Sequence, residues 1–232
     1  FVSILLCLVF ALSLFPGTAF AAREKTVRVG FFAFDGYHMR DEAGGMSGYG
    51  YDIVRYMAEY SKLEFVFEGY EASWNKAQDM LEAGDIDMLT SAQMTSERLE
   101  RFDFSNNPIG ISSAMLTVKA GNTAYISGDY SHWSGMRVGM IKGSSRNADL
   151  AAFAVEHGFT YAGVLYEDVD SMLAALASGR EIDAALTSDL RRRPGEWILA
   201  QFAPSPFYVM VRKGNSELLG EINRAVGMMY AA

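Results

Sequence analysis

The sequence predicts a mixed α/β chain made of two similarly built lobes joined by two extended crossings. Three observations carry this expectation. Strand and helix patterns alternate from Thr26 onward, one helix-to-strand joint occurs twice, and two apolar runs with similar endings separate the halves. Short apolar strands alternating with amphipathic helices are the pattern of a sheet covered by helices.

The elements follow in order. Thr26–Phe32 reads as a strand, with Val27 and Val29 on one face. Tyr51–Ser61 reads as a helix, because Ile53, Val54, Met57 and Ala58 recur at helical spacing. Leu63–Glu68 is a second strand, Trp74–Ala83 a second helix and Ile86–Thr90 a third strand. L-E-A-G-D-I-D-M-L (Leu81–Leu89) closes a helix at Gly84 and launches a strand. L-A-S-G-R-E-I-D-A-A-L (Leu176–Leu186) does the same at Gly179, with one extra residue before the isoleucine. A glycine just past a helix end reaches the left-handed conformation needed there. In each copy an aspartate, Asp87 or Asp183, follows that isoleucine.

Between the copies lies A-M-L-T-V-K-A-G-N (Ala114–Asn122), and near the end F-Y-V-M-V-R-K-G-N (Phe207–Asn215). Two such crossings between α/β lobes would form a hinge and place a ligand where both sheets present the C-terminal ends of their strands. The expected division is residues 25–113 for the first lobe, 114–205 for the second, and 206–232 for a return to the first.

Half of the 232 residues are hydrophobic and 21% are charged, so a substantial core is easily built. The net charge of -8 argues against a nucleic-acid partner, which needs a basic face. Arg191–Arg193 is the one basic run and reads as a solvated patch. Residues 1–21 read as a signal peptide truncated at its start, uncharged and apolar, with Ala19 and Ala21 as the small residues of a cleavage site. Its apolar run is shorter than the ~20 residues of a spanning helix. Cys7, the only cysteine, is followed by Leu8 and Val9 and does not look like a lipid-attachment site. An exported protein is expected, with its C-terminus truncated at Ala232. The mature chain has His38, His132 and His157, no thiol and no metal-ligand spacing, so no cofactor, metal or nucleophile–base pair is expected. Asp35 and Glu71 could lie near the cleft, although lone loop carboxylates are ordinarily solvated.

The segment T-S-A-Q-M-T-S-E-R-L-E-R-F-D-F-S (Thr90–Ser105) carries the strongest local signal. Thr95 is placed to cap a helix whose first turn is Ser96, Glu97 and Arg98. A cation is disfavoured at that end, where the helix dipole is already positive. An incoming carboxylate could resolve the conflict by accepting two parallel hydrogen bonds from the guanidinium. On spacing alone, a solvated arginine is equally compatible.

Several motifs in sequence order resemble bacterial extracellular solute-binding proteins of family 3, the polar amino-acid binders. They are G-Y-G-Y-D-I-V from Gly48, W-N-K-A-Q-D-M-L-E-A-G-D-I-D from Trp74 and T-S-E-R-L-E-R-F-D-F-S from Thr95. M-R-V-G-M-I-K-G-S-S from Met136, G-R-E-I-D-A-A-L from Gly179 and R-K-G-N-S-E-L-L-G-E-I-N-R-A-V from Arg212 follow, so the likeness spans Val27 to Val226. It implies a two-lobed periplasmic-binding-protein fold of type 2, a Venus flytrap that closes on a small solute. By the resemblance, Arg98 clamps the ligand's α-carboxylate, and Ser91 and Gln93 hydrogen-bond the ligand, Gln93 standing where a small hydroxyl residue is common. Trp74 packs on the ligand, with Phe34 or Tyr37 as its counterpart; core packing is the alternative for all three aromatics. Gly143, Ser144 and Ser145 supply a second carboxylate contact at a strand-to-helix junction, where backbone N–H groups suit an anion.

The chain departs from the family at the aspartate expected to pair with the ligand's α-ammonium. Direct register puts Ser188 there, and a one-residue bulge would bring in Asp189 instead. The implied ligand is an amino acid, or an acid lacking the ammonium. The implied partner is an ABC permease or a membrane-bound signalling domain. F-F-A-F-D-G-Y-H, S-D-L-R-R and F-A-P-S-P-F-Y-V resemble sensor input domains. An enzyme on the same fold, dehydratase-like or cell-wall lytic, is the third class.

Overall fold

The first half of the chain forms β1 (Lys25–Gly30), a small hairpin of β2 (Met39–Arg40) and β3 (Met46–Ser47), α1 (Tyr49–Glu59), β4 (Leu63–Glu68), α2 (Trp74–Ala83) and β5 (Met88–Ala92). A short α3 (Ser96–Arg101), β6 (Phe102–Phe104) and the long β7 (Gly110–Lys119) lead out of it. The second half holds β8 (Met136–Ile141), α4 (Arg146–His157), β9 (Tyr161–Tyr166), α5 (Val169–Ser178) and β10 (Ala184–Ser188). The chain then returns through β11 (Glu196–Arg212) to α6 (Ser216–Ala231). This computed structural model describes residues 25–191 and 195–232. The expected signal segment, Arg192 and Arg193 lie outside the described residues.

One sheet runs through both halves in the order β4-β1-β5-β11-β7-β10-β8-β9, with β6 also on β11. β1 pairs in parallel with β4 and β5, and β8 in parallel with β9 and β10. Each half is therefore a β-α-β-α-β unit with its first strand in the middle, closed by an antiparallel strand, β11 on β5 and β7 on β10.

The repeat reaches the side chains. The Arg28 Nε and Nη2 each donate to Asp87 at 2.9 Å, and the Arg28 backbone N–H donates to the same carboxylate at 2.8 Å. In the second half, Arg137 grips Asp183 through its backbone N–H at 2.9 Å, Nε at 3.1 Å and Nη2 at 2.6 Å. The aspartate after each I-D isoleucine thus ties the third strand of its unit to the first. Gly84 and Gly179, the helix terminators just upstream, both adopt the left-handed conformation.

These pairs set a pH dependence. Burial alone would raise the Asp87 carboxyl, but hydrogen bonds and charge from Arg28 outweigh it and hold the pKa below its ordinary value. Hydrogen bonds from Arg137 hold Asp183 low as well, against the effect of burial. A carboxyl lowered below its unfolded value of about 3.9 stabilises the fold above that pH, and the contribution is lost as pH falls through the folded pKa. The urea midpoint is expected to hold above about pH 5 and to fall below about pH 4. Asp87→Ala should destabilise by about 1–3 kcal/mol at neutral pH, since it strips partners from a charged side chain and a backbone N–H.

Each lobe has its own core on both faces of its sheet. In the first, Val27, Val29, Val54 and Met57 pack with Leu218, Ile222 and Val226 of α6, so the C-terminal helix returns to this lobe. Leu81, Ile86, Leu89 and Phe102 fill its other face. In the second, Trp133, Val138, Leu150, Phe159 and Phe202 form one core, and Met172, Leu176 and Ile182 the other.

The second crossing is longer than its apolar run predicts. β11 spans 17 residues and pairs with β7 from Glu196 onward, far ahead of Phe207. Pro204 and Pro206 conceal it, because proline enters a sheet only at edges and bulges. The register does break between Phe202 and Ser205, and Ala203 within that break sits at φ 49, in the left-handed region. A non-glycine residue there is held by its surroundings.

Candidate ligand-binding cleft

The C-terminal ends of β1, β5, β8 and β10 converge on a cleft of about 780 Å³ between the lobes. That volume suits a small solute. Phe32, Phe34, Asp35, Glu71, Trp74, Ser91, Gln93 and Arg98 line it from the first lobe. Ser144, Ser145, Arg146, Asp168, Asp170, Ser188 and Arg191 line it from the second.

Arg98 is buried, and Nη1 donates to the Gln93 carbonyl at 2.9 Å. Its guanidinium carbon lies 5.1 Å from the centre of the Trp74 ring. No carboxylate forms an ion pair with it among the described residues. Burial pushes its pKa down to about 10, with Glu97 opposing, so it stays cationic at neutral pH. The helix dipole does not single out Arg98. α3 has only six residues, so Arg98 belongs to its last turn as much as its first. Thr95 does cap the helix, accepting from the Arg98 backbone N–H at 3.3 Å. Burial without an anion of its own is what distinguishes this side chain.

The aromatic wall is continuous. Phe32 and Trp74 have ring centres 5.2 Å apart, and Phe32 and Phe34 stack at 6.2 Å. Tyr37 is not part of the wall. It is fully buried in the first-lobe core beside Phe207, and burial raises the pKa of its phenol. Of the two aromatics considered after the first strand, Phe34 reaches the cleft. Ser91 also reaches it, from a left-handed backbone at φ 61.

Asp189 does not reach the cleft. β10 pairs with β7 without a bulge, so Ser188 occupies the cleft position and Asp189 turns away. The Asp189 carboxylate accepts from the Ser113 backbone N–H and from Gln201 Nε2, each at 2.9 Å. Asp189→Asn is therefore expected to change affinity for an amino acid and for its deaminated analogue by the same small factor, under about threefold, in calorimetric titrations.

At the K-G-S-S junction, Ser144 and Ser145 line the cleft and Gly143 does not. Gly143 lies against Asn75 of the first lobe, where an added Cβ would come within 2.7 Å of Oδ1. Beside it Asn75 Nδ2 donates to the Lys142 carbonyl at 3.0 Å. Gln93 is also committed across the cleft. Its amide oxygen accepts from Ser145 Oγ, and its amide nitrogen donates to Ser205 Oγ.

Sequence reasoning missed two buried arginines. Arg146 opens α4 and donates to Ser112 O at 2.9 Å, Ala203 O at 3.2 Å and Asp149 at 3.2 Å, pinning both crossings to the second lobe. Arg191, read as solvated, is buried and grips the Glu196 carboxylate at 3.1 and 2.5 Å. The acidic residue five positions beyond it was the available signal. Carboxylates collect around the cleft: Asp35 lies 4.0 Å from Arg191, Glu71 pairs with Arg40 at 2.6 Å, and Asp168 caps α5 through the Ser171 N–H at 2.8 Å.

Two α/β lobes, two crossings and a cleft that, among the described residues, holds a buried guanidinium without an ion-pair partner define a solute-binding protein of the flytrap type. Residues 27–232 match the bacterial extracellular solute-binding proteins, family 3, and the chain belongs to that family. It is 25% identical to an L-arginine-binding protein of Pseudomonas aeruginosa over 238 residues, covering 95% of this chain and 88% of that one. Among solved structures it resembles an ancestral arginine-binding protein bound to arginine, with TM-score 0.72 and 27% identity over 90% of this chain and 93% of that one. The same ancestral type bound to glutamine superposes with TM-score 0.75 at 27% identity and the same coverage. These relatives are binding proteins, and the fold is that of two-lobed periplasmic binding proteins. No helix among the described residues is long and apolar enough to cross a membrane.

Proposed function

We propose that the protein captures an amino acid with a basic side chain, L-arginine foremost, outside the cytoplasm. The observation that carries this reading is Arg98, a buried cation facing the cleft with no ion-pair partner among the described residues. An α-carboxylate supplies the missing anion in the geometry a guanidinium prefers. The stacked Phe32 and Phe34, with Trp74 tilted against Phe32, offer aromatic faces to a planar cation, and Asp35, Glu71, Asp168 and Asp170 give the surroundings a negative bias. Relatives named for arginine support the same ligand. Ser188 offers the α-ammonium a neutral acceptor, so the charge of this collar balances it at longer range.

Residues 25–113 with 206–232 form one moving body in this reading, and 114–205 the other, hinged near Ser112 and Ala203. The closed form passes its solute to an ABC permease. A membrane-bound signalling domain as recipient is the second reading, carried by the sensor-like phrases near Phe31, Ser188 and Phe202. Permease genes beside this one would favour transport, and a transmembrane helix followed by a kinase or cyclase domain would favour sensing. A thermal-shift screen of the common amino acids tests the ligand, because a ligand at 100 times its Kd adds about 2.7 kcal/mol of stability. L-arginine and L-lysine should give the largest shifts. A screen in which neither raises the melting temperature overturns the reading.

A further inference from the structure

The Gln93 side chain reaches out of the first lobe altogether. Ser145 Oγ, at the start of α4, donates to its amide oxygen, and its amide nitrogen donates to Ser205 Oγ on the β11 crossing. Its carbonyl accepts from Arg98 Nη1 at 2.9 Å. Ser205 Oγ also lies 3.4 Å from Arg146 Nη1, and Arg146 in turn holds Ala203 O on one crossing and Ser112 O on the other. One residue therefore connects the carboxylate clamp, the second lobe and the kinked crossing. A second bridge between the lobes joins Asn75 to Lys142 and Gly143. Every atom in both bridges belongs to the chain.

We propose that Gln93 is a positioning residue, a clasp that draws the lobes together without ligand and couples that closure to the orientation of Arg98. A serine at this position could not span the cleft, so Gln93→Ser should lose both bonds across it. With Gln93 in place, much of the ordering precedes binding. The apparent dissociation constant equals the intrinsic one divided by the competent fraction, so a clasp that raises that fraction raises affinity without touching the ligand. Two hydrogen bonds of ordinary net strength shift such an equilibrium by roughly tenfold to a hundredfold.

The affinity arm of this inference rests on the proposed ligand, and the conformational arm does not. Small-angle scattering of the full chain without ligand should show wild type in a compact form and Gln93→Ala expanded. Ser145→Ala should expand it partly, and the double variant should match Gln93→Ala alone, since both remove one bridge. Melting temperatures should change little, because Gln93 belongs to neither core. L-arginine affinity should fall roughly tenfold in Gln93→Ala. Identical ligand-free scattering from wild type and Gln93→Ala overturns the clasp. A wild type that ignores L-arginine would instead count against the ligand, with the scattering comparison still deciding the clasp.

Discussion

Arg98→Ala is expected to abolish measurable binding of the amino-acid ligand, with a loss of about 2–5 kcal/mol, or roughly thirtyfold to several thousandfold in Kd. The loss is large because, among the described residues, the cleft offers the carboxylate no second cation free of its own partners: Arg146 is spent on the crossings and Asp149, and Arg191 on Glu196. Folding should survive, since Thr95 caps α3 through the backbone N–H of residue 98 and needs no side chain there. Arg98→Lys should retain the charge and lose the two-pronged geometry, giving an intermediate Kd. Calorimetric titration alongside a melting curve separates lost binding from lost folding. A variant that folds and binds as wild type does would remove Arg98 from the site.

Arg146→Ala should produce the largest loss of stability among the cleft residues, about 3–5 kcal/mol, because it leaves buried polar partners without a counterpart. Its side chain is 9% exposed and holds Ser112, Ala203 and Asp149 at once. Release of the Ala203 carbonyl frees a left-handed residue at the break in β11, so the crossing itself should loosen. Arg146→Met keeps most of the volume and none of the hydrogen bonds, and should be nearly as destabilised. Urea denaturation with a probe in each lobe would show the second lobe and the crossings failing first. A melting temperature within a degree or two of wild type would contradict the assignment.

The periodic parts of this fold were legible in the sequence. Leu63–Glu68 and Trp74–Ala83 coincide with β4 and α2, and the two I-D joints mark matching positions in two β-α-β-α-β units. Local spacing suffices for such features, since apolar periodicity and a helix-ending glycine act over a few residues. Arg98, Ser91 and Trp74 were likewise placed on the cleft by family register, while Phe34 and Tyr37 stayed alternatives and only Phe34 lines it. What escaped depends on partners far along the chain. Asp189 was diverted by the N–H of Ser113, and Gln93 by Ser145 and Ser205. Tyr37 went into a core that Phe207 completes from the other end of the chain. β11 was hidden by two prolines, of which Pro204 falls in the register break between Phe202 and Ser205 and Pro206 lies opposite Ile111 beyond it.

The central claim is that Arg98 binds the carboxylate of a basic amino acid inside the cleft. Parallel calorimetric titrations with L-arginine and with its decarboxylated analogue test it most directly, because the two differ only in the group Arg98 is held to recognise. A site built around a buried polar partner rejects the analogue lacking that group by up to 10⁴-fold or more. L-arginine should bind, and the analogue should be weaker by at least about a hundredfold, a gap that closes in Arg98→Ala. Equal affinities in the wild-type protein, or tighter binding of the decarboxylated compound, would contradict the account.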